Sequence, residues 1–82
     1  MILDVILGNN IDTSMWIKDL QENKADCIIV VDYAFNDEPT EIEGVIYMSP
    51  IQAHRYIKKF DSVNYYKSLY AYPGMHGNIS SL

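Results

Sequence analysis

The stretch Asp26 to Phe35, DCIIVVDYAF, limits the fold more than any other part of the chain. It is rich in Ile and Val, so it reads as the clearest strand in the chain. With 82 residues the chain has room for one domain, 1–82, and for one core. A domain of this size buries only roughly 60 to 65% of its unfolded surface. Most of its apolar residues, 49% of the total, are therefore needed inside.

The flanking segments supply the other elements. Ile2 to Leu7 is a short apolar run closed by Gly8-Asn9-Asn10, and reads as a first strand. Asp12 or Thr13 can cap a helix whose stripe is Thr13, Trp16, Ile17 and Leu20, with Asn23 as its stop. Asn36-Asp37-Glu38-Pro39 suits a turn, after which Thr40 to Met48 returns as a strand in a hairpin with the one before. Ser49-Pro50-Ile51-Gln52 combines an N-cap, a proline at the first helical position and a capping-box glutamine. Ala53, Tyr56, Ile57 and Phe60 then recur at helical spacing, with Arg55, Lys58 and Lys59 toward solvent.

Residues 62–72 admit two readings. Val63, Tyr65, Leu69 and Ala71 alternate with Tyr66, Tyr70 and Tyr72, which suits a strand; a third helix is the alternative. Pro73-Gly74 ends the segment, and 73–82 is expected to be a loose tail. The resulting order, β-α-β-β-α-β, predicts an α+β domain with a ferredoxin-like antiparallel sheet and both helices on one face.

Period-2 counting then assigns the two faces of that sheet. Leu3, Val5, Leu7, Cys27, Ile29, Val31, Tyr33, Phe35, Ile42, Ile46 and Met48 are expected to face the helices. The other face would carry Tyr47, Tyr66, Tyr70 and Tyr72, the aliphatics Ile6, Ile28, Val30 and Val45, and the acids Asp4, Asp32, Glu41 and Glu43. Such a face is too apolar to be left in water, so it is expected to be a contact surface unless a third helix or the tail covers it.

Charge narrows the partners. Net charge is −5; residues 25–54 hold six acids and no Lys or Arg, whereas 55–67 hold Arg55, Lys58, Lys59 and Lys67 against Asp61. Direct nucleic-acid binding needs the reverse balance. An aromatic sheet face invites comparison with RNA-recognition modules, but Glu41 and Glu43 stand where basic residues belong. A basic protein partner fits better. No apolar run is long enough for a membrane span, the acidic N-terminus is unlike a signal peptide, and the lone Cys27 excludes an intrachain disulfide, so the cytoplasm is the expected setting.

Motifs for chemistry are absent. Two histidines (His54 and His76) and one thiol fall short of a zinc motif, Cys27 lies in the most apolar strand, and Gly8 alone cradles no phosphate. No metal, no cofactor and no catalytic residue is expected. In composition the chain resembles small acidic virus-encoded inhibitors of host enzymes, and its acids suit a nucleic-acid mimic. The expectation is a non-enzymatic protein-binding domain, an inhibitor or adaptor, using Tyr47, Tyr66, Tyr70, Tyr72, Asp32, Asp37, Glu38, Glu41 and Glu43. The alternative is a homodimeric ferredoxin-like domain that binds a small ligand or acts as a small enzyme.

Overall fold

Where the sequence suggests one strand from Thr40 to Met48, the computed structural model has two, joined by a tight reversal at Glu43-Gly44. It describes residues 1–35 and 38–67. The elements are β1 (Ile2–Leu7), α1 (Thr13–Glu22), β2 (Cys27–Val31), β3 (Thr40–Ile42), β4 (Val45–Met48), α2 (Pro50–Ile57) and β5 (Ser62–Lys67). Within the described residues the last of these is a strand and not a helix; 68–72, like the expected tail, lies outside them.

Glu43 and Gly44 both have positive φ, 50° and 83°, which is the backbone of a two-residue hairpin turn. For a residue with a Cβ this conformation costs roughly 1–2 kcal/mol. Burying Val45 and Met48, both at most 2% exposed, contributes roughly 1.5–3 kcal/mol each and outweighs it.

The extra reversal changes the sheet. β4 now runs parallel to β2, with Ile29 opposite Ile46 and Val31 opposite Met48. β1 is parallel to both β2 and β5, and only β3, against β4, is antiparallel. Among the described residues the chain is a small α+β domain with two helices, as expected, but its five-stranded sheet is mixed, in the order β3-β4-β2-β1-β5. The antiparallel ferredoxin-like arrangement is not what forms.

Parallel neighbours also decide where the helices sit. β1-α1-β2 steps one way across the sheet, and β4-α2-β5 steps the other way. Crossovers between parallel strands are almost always right-handed, so opposite steps place the two helices on opposite faces. The packing agrees. Leu3, Val5, Ile29, Val31 and Met48 form a core with Ala53, Tyr56 and Ile57 of α2. Ile6, Ile28, Val30 and Val45 form a second core with Trp16, Ile17 and Leu20 of α1. The alternation read from the sequence therefore divides most of the strand residues correctly. The face expected to be bare is instead covered by α1.

The two helices are capped differently. At α2, Ser49 Oγ accepts from the Gln52 N–H and Gln52 Oε1 accepts from the Ser49 N–H, completing the capping box. At α1 the N-cap position is Asp12, whose side chain makes no cap bond. Its C-terminus closes with Lys24 N–H to Gln21 O and Ala25 N–H to Leu20 O, a Schellman arrangement with Lys24 at φ 58°. Among the described residues no helix is long and apolar enough to cross a membrane.

A Cβ at position 44 would meet nothing closer than Gln21 Nε2 at 3.8 Å, so Gly44→Ala tests backbone strain alone. It should lower stability in urea unfolding by about 1 kcal/mol, whereas Glu43→Asn, better suited to positive φ, should raise it by up to about 1 kcal/mol.

Candidate functional site

All four parallel strands point their carboxyl ends the same way, and in open parallel sheets ligands bind outside those ends. The chain invests its most connected loops there. After β1, Gly8 takes φ +99° and returns its N–H to Val31 O at 2.9 Å. The buried Thr13 hydroxyl donates to Gly8 O at 3.1 Å and accepts from the Asn10 N–H at 2.8 Å. Asn10 Oδ1 in turn accepts from the Asp12 N–H at 3.0 Å. The loop is thus tied from within before α1 begins.

Asp32 organises the exit of β2. Its N–H reaches Met48 O, Oδ1 accepts from the Ala34 N–H at 2.9 Å, and Oδ2 accepts from Asn9 Nδ2 at 3.1 Å. The Phe35 N–H closes on Asp32 O, so the strand stops at Val31 instead of continuing to Phe35. Tyr33, expected in the core, is consequently 73% exposed. Ile11 after β1, Met15 in the first turn of α1 and Ile51 in the first turn of α2 are exposed at this same end.

The residues expected to form one binding face are distributed differently. Tyr47 is half-buried in the α1-side core, with its ring 6.4 Å from that of Phe35. Tyr66 is half-buried in the same core, tilted against Trp16 at 5.1 Å. β2 and β1 lie between their strands, so these two tyrosines do not form a shared patch. Glu38 and Asp32 belong to the carboxyl end, Glu41 lies on the edge strand, and Glu43 is in the reversal at the opposite end. Tyr70, Tyr72 and Asp37 are outside the described residues.

One polar group that the sequence placed on the outer face is a finding of the fold. Asp4 is only 5% exposed. Its Oδ1 accepts from Tyr66 Oη at 3.0 Å and from Asn64 Nδ2 at 3.2 Å, across the β1–β5 pair. Burial, followed by this bond to Asp4, raises the pKa of Tyr66. On the other face, Cys27 Sγ lies 3.6 Å from Tyr56 Oη, and that contact, then burial, pushes the Tyr56 phenol up to about 12. The thiol thus faces a tyrosine at the edge of the α2-side core. Among the described residues no three His, Cys, Asp or Glu side chains are grouped to hold a metal ion.

No protein-family model matches this chain, and no curated protein or solved structure is significantly similar to it.

Thr13→Val keeps the shape of the buried side chain but strands Gly8 O and the Asn10 N–H. It should cost about 1–3 kcal/mol by chemical denaturation. Tyrosines 56 and 66 hold their protons to higher pH when folded than when unfolded, where the value is 10.0. Their contribution is complete below pH 10 and is lost as pH rises through the folded values, about 12 for Tyr56. Tyr56→Phe and Tyr66→Phe should each flatten the alkaline fall in stability, measured by denaturation at stepped pH.

Proposed function

We propose that this chain is a small acidic protein-binding domain, non-enzymatic, that acts as an inhibitor or adaptor through the carboxyl end of its parallel strands. The observation that carries the reading is the exposure of Ile11, Met15, Tyr33 and Ile51, each 71–78% exposed and all at that one end. Large apolar side chains held out on internally tied loops and on the first turns of helices are the kind of anchors that interfaces use, because little entropy is lost when they dock. Asp32 and Glu38 add negative charge at the same end, and the rest of the acidic stretch gives the field a reach that favours a basic partner. The tyrosine anchor in this reading is Tyr33; Tyr47 and Tyr66 support the sheet beneath.

The acids select and steer, whereas the apolar side chains hold, and the two roles separate under salt. A photo-crosslinking residue placed at position 33 or 51 should give the same single protein adduct in lysate of the native host. The same residue at exposed Lys18 on α1 should give none. High salt should slow adduct formation at 33 and 51 without abolishing it. Equal labelling from position 18, or no adduct from either position 33 or position 51, would overturn the reading. Tyr33→Ser should change stability by no more than about 0.5 kcal/mol, so loss of the adduct from position 51 in that variant reports lost contact.

A further inference from the structure

The amino-terminal end of the sheet carries a different feature, independent of the surface just described. On the α1 side, a cleft of about 280 Å³ opens between β5 and the end of α1. Asp4, Asn64 and Tyr66 line it with polar groups, Leu20 and Ile2 with apolar ones, and residues 23–26 complete the lining. The cleft exists because α1 crosses β1 and β2 while β5 continues the sheet beyond it.

Asp4 is the unusual member. A carboxylate 95% removed from solvent costs several kcal/mol unless donors or a cation compensate it. Both of its hydrogen bonds converge on Oδ1. Its second oxygen receives no bond from the described residues, and it is not among fully enclosed atoms, since no enclosed side-chain oxygen lacks a partner. Asp4 lines the cleft, which makes that oxygen the candidate acceptor for a ligand there. Asn64 and Tyr66 fix the carboxylate in place, and Asp26, held by the Ile2 N–H at 3.1 Å, adds a second negative group at the mouth.

We propose that this cleft binds a primary alkylammonium group, with the ammonium on the second oxygen of Asp4 and its short carbon chain along Ile2 and Leu20. The chemistry follows from the lining. An ammonium supplies donors and charge together, whereas an alcohol brings no charge and a carboxylate brings the wrong sign. A guanidinium seeks two parallel acceptor oxygens, and Oδ1 is already engaged by two donors. Lys24 also lines the cleft, and its ammonium would compete with the ligand for Asp4, so its removal should strengthen binding.

The reporter is built in. Trp16 is the only tryptophan, and its ring lies 5.1 Å from Tyr66, whose hydroxyl is bonded to Asp4. Titration of the intact chain at neutral pH with n-butylamine should change Trp16 emission saturably, with a midpoint within about 10 mM. Amide shifts in NMR should centre on residues 4, 24, 64 and 66. Matched n-butanol and butyrate should leave both signals unchanged. Asp4→Asn, isosteric and uncharged, should weaken binding by at least about tenfold, and Lys24→Met should tighten it. A linear response to the amine, equal responses to butanol, or shifts centred elsewhere would overturn the proposal. The mapping on the unaltered chain decides the matter even if Asp4→Asn fails to fold.

Discussion

The reversal at Glu43-Gly44 is the constraint on which the rest of this structure depends. Without it, the segment after the β2 turn would run back along β2 as one antiparallel strand. With it, β4 arrives parallel to β2 and must leave by a helical crossover to reach β5. Right-handedness of that crossover sends α2 to the face opposite α1. Two residues in left-handed conformation thereby convert a sheet with one covered face into a sheet between two helices.

The two ends of the sheet are finished differently. At the carboxyl end, backbone turns bind Gly8, Asn9, Asn10, Thr13 and Asp32 into a network that leaves apolar side chains pointing outward. At the amino end, polarity is turned inward: Asp4 is buried and shared by two donors from β5, with a cleft beside it. A tied loop presenting apolar groups suits docking to a surface, whereas an inward carboxylate beside a small cleft suits a small cation. In the two proposals the acid-rich sequence has two roles, a general field in the first and one placed carboxylate in the second.

Part of the fold left signals that a period-2 reading passes over. Cys27-Ile28-Ile29-Val30-Val31 is apolar on both faces, which is the mark of a strand covered twice and characteristic of parallel sheets. Gly44 inside an apparent strand is the other signal, because an isolated glycine there indicates a local break. Ser49 with Gln52, by contrast, is a contact between residues three apart, and it formed as read. The candidate site was less legible. Alternation extended past Asp32 points Tyr33 inward, but the Asp32 side chain closes a turn and stops the strand.

By itself the sequence determined what depends on neighbours a few residues apart: the positions of β1, α1, β2 and α2, the capping box, and which strand residues share a face. Those features follow from periodicity and local hydrogen bonding, which travel with the chain. The tertiary structure decided which strands lie side by side, on which faces the helices pack, and therefore that Tyr47 and Tyr66 support a core while Ile11, Met15, Tyr33 and Ile51 stand in solvent. It alone brought Asp4 within 3.2 Å of Asn64 and Tyr66, some sixty residues away. The physical reason is that strand order and crossover hand are properties of the assembled sheet, and no local pattern encodes them.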